Sequence, residues 1–238
     1  MLELNDVTKK YLRRTALDGV SLKLDAGKTA LLLGPNGSGK TTMMKMIAGL
    51  SRPTSGEILF EGEPIGAATK AHIAYMPTEN YFYSYMTVKD IGRYYADFFD
   101  DFDPARFDRL LTDMDLDKAD RIRQLSSGMA AKLRLSLALS RDAKLMMFDE
   151  PLNGVDILTR QQVVEAILAA RSPERALLIS THLVDELEDV VDTCVFLRDG
   201  AVALAGPKGE VCGDRTLKER YIEIYGHAGT AEGGEDHA

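Results

Sequence analysis

Three runs of this chain are apolar without a break: "ALLLG" (30–34), "LMMF" (145–148) and "ALLIS" (176–180). Short continuous apolar runs suit strands covered on both faces, as in a parallel sheet flanked by helices. "TALDGVSLKL" (15–24) instead alternates apolar and polar residues, the pattern of a strand with one face buried. Helical spacing fills the intervals. "KTTMMKMIAGL" (40–50) predicts a helix ending near a glycine, with Met43, Met44 and Met46 as core filling. "DILTRQQVVEAILAAR" (156–171) predicts another, with Ile157, Val164, Ile167 and Leu168 on its apolar face.

Between about 84 and 143 the pattern is almost wholly helical. "TVKDIGRYYADFF" (87–99) opens with Thr87 and Asp90, a variant capping box, and places Val88, Ile91, Tyr94 or Tyr95, and Phe98 on one face. "PARFDRLLTDM" (104–114) has Pro at a first helical position. The aromatics of "YFYSY" (81–85) form either a docking surface or part of the core of this segment. The expectation is an α/β core interrupted by a helical insertion. The Gly-, Ala- and acid-rich stretch 226–238 is expected to be disordered.

Composition narrows the function classes. With 45% hydrophobic residues, 238 residues can bury a sizeable core. The formal net charge of −8 argues against general nucleic-acid binding. The local basic run of Lys132, Arg134, Arg141 and Lys144 reads as a solvated helix face. Cys194 and Cys212 lack metal-ligand spacing and read as free thiols of a reducing compartment. The opening "MLELNDVTKKYL" has no basic start or apolar run of a signal peptide, and no run approaches the ~18 apolar residues of a membrane span. A soluble, cytoplasmic chain is expected.

The chemistry concentrates in a few stretches. "GPNGSGKTT" (34–42) follows an apolar strand and opens a helix, the setting a phosphate-binding loop requires. Gly34, Gly37 and Gly39 allow backbone N–H groups to converge on phosphate oxygens without side-chain obstruction, and the helix start adds its dipole. Pro35 itself has no N–H, while Asn36 and Ser38 complete the loop. Lys40 is expected to face solvent in the absence of ligand and to reach the β- and γ-phosphates. Thr41 would offer its hydroxyl to Mg²⁺, with Thr42 beside it. "LMMFDEP" (145–151) delivers Asp149 and Glu150 to a strand's C-terminal end, the crevice side of an open α/β sheet. Asp149 can hold Mg²⁺ through water, and Glu150 can orient or deprotonate an attacking water. Such a pair can also be a plain helix N-terminal pair, and the cradle upstream decides for the nucleotide. "STH" (180–182) ends a further strand and brings His182 within reach of a γ-phosphate. "LSSGM" (125–129) carries no acid or base; Ser126, Ser127 and Gly128 suit a helix N-cap and its loop.

In this order the motifs resemble those of the ATP-binding subunits of ABC transporters, over residues 1 to about 225. The resemblance implies an α/β P-loop NTPase core of mostly parallel sheet, with a small antiparallel β subdomain and a helical insertion at about 84–143. It implies ATP and Mg²⁺, hydrolysis of ATP, and two subunits closing on two nucleotides. "LSSGM" then corresponds to the family's signature motif, commonest as LSGGQ, which contacts the γ-phosphate held by a second subunit. Tyr11 would stack on adenine, although alone it is a routine strand-end aromatic, and Asp156 of "NGVD" would line the dimer seam. Separately encoded membrane-spanning subunits would be the client, with the chain peripheral on the inner face of the membrane. Two features depart from the pattern. Thr78, with Glu79 beside it, stands where a Mg²⁺-contacting Gln is usual, and Ser127 and Met129 replace the commoner Gly and Gln of the signature. The stretch from "YMPTENYFY" to "DFFDDFDP" is similar to stand-alone ATPases of antibiotic-responsive export systems of Gram-positive bacteria. An ABC-type ATPase of an assembly or repair complex shares the same site without a membrane partner. A P-loop kinase would leave the signature without a purpose.

Overall fold

The computed structural model describes residues 1–226, so the stretch expected to be disordered lies, from residue 227, outside the described residues. The N-terminal half runs β1 (Leu2–Tyr11), β2 (Arg14–Leu24), β3 (Thr29–Leu33), α1 (Lys40–Ile47), β4 (Ser55–Phe60), β5 (Glu63–Pro64), α2 (Ala67–Lys70) and β6 (Ile73–Met76). Then follow α3 (Val88–Phe98), α4 (Pro104–Asp113), α5 (Ser127–Leu139), β7 (Leu145–Asp149), α6 (Ile157–Ala169) and β8 (Ala176–Thr181). The chain ends in β9 (Thr193–Arg198), β10 (Ala201–Pro207), α7 (Lys208–Cys212) and α8 (Leu217–Tyr225).

Two sheets organise the chain. The larger has the order β10-β9-β3-β8-β7-β6. Its members from β9 to β6 pair in parallel and β10 runs antiparallel on the edge. The smaller, β2-β1-β4-β5, is antiparallel throughout. The unbroken apolar runs of β3, β7 and β8 follow from burial on both faces. Leu31, Leu33, Met146, Phe148, Leu177 and Ile179 point into one core with the helices α3 to α6. Ala30, Leu32, Leu145, Met147 and Leu178 point into the other, against the antiparallel sheet and α1, whose Met43, Met44 and Met46 are buried as core filling. In β2, Leu17, Val20, Leu22 and Leu24 face inward. The alternation slips once, at a register shift where Gly19 takes φ +61°.

Several expected helix faces turn out differently. In α6 the buried residues include Thr159, Val163 and Ile167, while Ile157 is exposed and Val164 is only partly covered. In α3, Tyr95 is buried with Val88 and Ile91, whereas Tyr94 and Phe98 pair on the outside with ring centroids 4.5 Å apart. The expected basic face is also corrected. Arg134 and Arg141 are buried, and Arg141 donates from Nε and Nη2 to Asp101 at 2.7 and 3.0 Å and to the Ile73 carbonyl at 3.0 Å. The Asp101 carboxylate and the Ile73 carbonyl offset the burial of the Arg141 guanidinium, which joins the helical segment to the strand β6. Helix α5 buries Leu133, Leu135, Leu137 and Leu139 in the core it shares with Met146 and Phe148 of β7. A helix apolar all round is a core helix. Part of the 84–143 segment therefore packs directly on the main sheet. Around 81–85, Phe82 packs on the core while Tyr81, Tyr83 and Tyr85 are exposed.

Candidate functional site

The C-terminal ends of β3, β6, β7 and β8 lie side by side, and each leads into a segment singled out above. This is the crevice side of a parallel sheet. Within it a cavity of about 460 Å³ is lined by Tyr11, Arg14, Asn36, Gly37, Gly39, Lys40, Thr41, Thr42, Tyr75, Thr78, Glu79, Asp149 and Glu150, among others. Of the other loop residues, Gly34 and Ser38 are buried and Pro35 is exposed, and none of the three lines the cavity. Gly39 has φ +110°, and a Cβ there would stand 2.6 Å from Leu17 Cδ2 and 2.7 Å from the Ala16 carbonyl oxygen. Only glycine fits that turn. Arg14, unremarked in the sequence, donates from Nη2 to the Gly37 carbonyl at 3.1 Å.

Lys40 corrects the expectation of a solvent-facing side chain. It is 5% exposed, and its Nζ donates to the carbonyls of Gly34 at 2.7 Å and Pro35 at 3.2 Å. The loop wraps back over the first turn of its own helix. The same Nζ lies 3.3 Å from Glu150 Oε1, an ion pair without the direction of a hydrogen bond, since Oε1 has no hydrogen-bond partner. The other oxygen, Oε2, is 2.8 Å from His182 Nδ1. His182 therefore meets Glu150 in this structure. Glu150 itself has φ +50°, a left-handed conformation that costs a side-chain-bearing residue of order 1–3 kcal/mol and collects at functional sites.

Asp149 is fully buried yet satisfied. Oδ1 accepts from Ser180 Oγ at 2.6 Å and Oδ2 from Tyr75 OH at 3.1 Å. Burial, and after it the Asp149 charge, push the Tyr75 phenol above its ordinary pKa, so it stays a donor. Ser180 Oγ also accepts from the Glu150 N–H at 2.9 Å, and Thr78 Oγ1 donates to the Asp149 carbonyl at 2.9 Å. Tyr75 and Ser180 were missed because their roles depend on strand order: Asp149 pairs with Ser180, and Met147, two residues before Asp149, pairs with Tyr75.

The remaining candidates lie elsewhere. Ser126 is the N-cap of α5 and accepts from the Met129 N–H at 3.2 Å. Ser127 Oγ donates to the Gly154 carbonyl at 3.1 Å, which ties the "LSSGM" turn to the "NGVD" loop. Asp156 caps α6 by accepting from the Thr159 N–H at 3.0 Å. Ser126, Ser127, Gly128 and Asp156 do not line the cavity. Within one chain the structure thus brings the phosphate loop, Asp149, Glu150 and His182 together and leaves the Ser-Ser-Gly turn apart. Among the described residues no group of three or more His, Cys, Asp or Glu side chains could hold a metal on its own, and no helix is long and apolar enough to cross a membrane.

The family model for ABC transporters matches residues 17–153. ABC transporter ATP-binding protein YtrB of Bacillus subtilis is 31% identical over 227 residues, covering 94% of this chain and 76% of YtrB. Lantibiotic transport ATP-binding protein SrtF of Streptococcus pyogenes is 30% identical over 223 residues, 93% of this chain and 96% of SrtF. An ABC transporter ATP-binding protein of Synechocystis is 32% identical over 84% of this chain, which spans only 58% of that relative's length. A solved ATP-binding subunit of an ABC transporter superposes with a TM-score of 0.85 at 27% identity, covering 94% of this chain and 99% of its own. The dimeric cassette MJ0796 bound to ADP and phosphate shares the fold, with a TM-score of 0.79 at 20% identity over 87% of this chain and 99% of its own.

Proposed function

Because the chain belongs to the ABC transporter family, as one of its ATP-binding, ATP-hydrolysing subunits, we propose that residues 1–225 form an engine subunit, about 84–143 being its helical part. Two such subunits close on two ATP molecules and drive separately encoded membrane-spanning subunits. The observation that carries this reading is the separation within one chain. The phosphate loop, Asp149 and Glu150 share a cavity, while Ser126, Ser127 and Gly128 do not line it. A hydroxyl at a helix start is suited to an anion, and a second copy's phosphate gives it one.

In this reading adenine stacks on Tyr11, and the β- and γ-phosphates take over Lys40 and the N–H groups of Gly37 to Thr42. Glu150 accepts the proton of the attacking water as the bond from the bridging oxygen to the γ-phosphorus breaks, and ADP and phosphate leave. His182 holds Glu150 beforehand and the γ-phosphate afterwards. Asp156 lines the seam. The donor set fits Mg²⁺: Thr41 and, through water, Asp149 would hold it with the phosphates completing the shell, as is usual for this ion. When bound, it supplies charge that offsets the phosphate oxygens.

Export is the proposed direction, supported by the likeness to a lantibiotic transport protein. The subunit would then work in the cytoplasm, held at the inner face of the membrane by its partners, and nucleic acid has no part in the cycle. Co-expression with a multi-span membrane protein encoded beside this chain, followed by detergent extraction, tests the coupling. Co-purification with ATP hydrolysis above that of the free subunit is expected; a subunit that never co-purifies sinks the transport reading and favours a soluble assembly ATPase.

A further inference from the structure

The parallel ladder between β3 and β9 ends at the pair Leu33–Phe196. Beyond it β3 gives way to the phosphate loop while β9 runs on to Arg198. There, Tyr225 OH lies 3.1 Å from the Leu33 carbonyl oxygen and 2.8 Å from that of Leu197. One hydroxyl proton is shared between these two carbonyls, one on each side of the point where the ladder stops. Burial raises the pKa of this hydroxyl, which keeps it a donor.

The next residue has no slack. A Cβ on Gly34 would stand 2.6 Å from the Leu197 carbonyl oxygen and 2.6 Å from Ser38 Oγ. The Gly34 carbonyl in turn accepts the 2.7 Å hydrogen bond from Lys40 Nζ. An unbroken chain of close contacts thus leads from the last residue of α8 to the phosphate-binding lysine. The helix is also fixed at its other end. The Leu217 N–H donates to Glu188 Oε1 at 2.9 Å, and Lys218 pairs with Asp185 at 2.7 Å, both in the 3-10 turn Asp185–Val190 that follows His182. The Tyr225 ring is held against Tyr221 and Phe196, at centroid distances of 4.6 and 6.2 Å.

The geometry points to Tyr225 as a positioning residue for the phosphate loop, so that the C-terminal helix belongs to the nucleotide-binding apparatus. This rests on the ATP site described above. If Tyr225 only covered the core, its ring would suffice and the hydroxyl would be dispensable for binding. With the hydroxyl gone, the start of the loop is free to shift, and ground-state binding weakens before chemistry does.

The test uses the full chain with Tyr225→Phe, titrated with ATP and ADP by calorimetry well below the unfolding temperature, with turnover measured at saturating ATP. The expected result is a rise of about threefold to tenfold in both dissociation constants, the range spanned by one hydrogen bond, with kcat within about twofold of wild type. Ile222→Ala, an exposed position on the same helix, should bind as wild type does. Dissociation constants unchanged in Tyr225→Phe, or weakened equally by Ile222→Ala, would overturn the proposal whatever happens to thermal stability. Lys40→Ala run alongside separates the two readings. If it binds ATP as tightly as wild type, the phosphate-loop assignment itself fails; if it loses binding while Tyr225→Phe does not, only the role of Tyr225 fails.

Discussion

Lys40 Nζ and Glu150 Oε1 lie 3.3 Å apart, and the opposite oxygen of Glu150 meets His182 Nδ1 at 2.8 Å. The lysine that would grip the phosphates is thus engaged with the carboxylate that would activate water. Nucleotide entry must part them, because the terminal phosphate of a bound nucleotide, the β-phosphate in ADP, and Glu150 cannot both take the same face of one ammonium group. Lys40 already gives hydrogen bonds to two carbonyls, so little donor capacity remains.

Removing that competition should tighten binding before any hydrolysis or dimer forms. Glu150→Gln is expected to bind ADP about twofold to tenfold more tightly than wild type, the span of one modest net polar interaction. Calorimetric titration of the monomer with ADP measures this directly. Equal or weaker binding would mean that the ion pair does not oppose the nucleotide.

Tyr75→Phe removes one of the two side-chain donors on Asp149 while keeping the ring. The carboxylate then loses orientation, and the Mg²⁺ concentration for half-maximal hydrolysis should rise about threefold to tenfold. Turnover at saturating Mg²⁺ should change far less. A Mg²⁺ titration of activity with an unmoved midpoint would show that Ser180 alone orients Asp149.

Both cysteines should be silent towards thiol reagents in the native protein. Burial pushes the Cys194 thiol up to about 12 and raises that of Cys212 as well. The sign follows from desolvation, which disfavours the thiolate, the reactive form. At pH 8 an aromatic disulfide reagent is expected to label neither residue in the native chain and both in denaturant. Rapid native labelling would contradict the packing of β9 against α7.

Much of this site can be read along the sequence because its parts are local. The glycine spacing of 34–39, the acids closing β7 and the capping box at Thr87 and Asp90 each depend on neighbours a few residues away, and the structure has the last in full. The burial of Lys40 was not legible, because it depends on a loop folding over its own helix and on Glu150 arriving from another strand. Phe98 of α3 and Ile157 of α6 fall outside the buried faces that hold Val88, Ile91, Tyr95 and Ile167, for a related reason. Both helices carry apolar residues around more than half their circumference, so spacing alone cannot choose between Tyr94 and Tyr95 or between Val163 and Val164. What lies across from each helix decides, and that is set by the sheet order.

The central claim is that "LSSGM" serves a neighbour's ATP, and the state of association in ATP tests it most directly. Glu150→Gln keeps the shape of the side chain but removes the base, so hydrolysis should fall about 10²-fold or more and ATP should persist between two subunits. Light scattering with saturating ATP and Mg²⁺ should then report a dimer for Glu150→Gln and a monomer for the double variant Glu150→Gln, Ser126→Arg, where a long cation cannot fit in place of a hydroxyl. A double variant that dimerises as well as the single one would contradict the claim, and so would a Glu150→Gln protein that binds ATP yet stays monomeric.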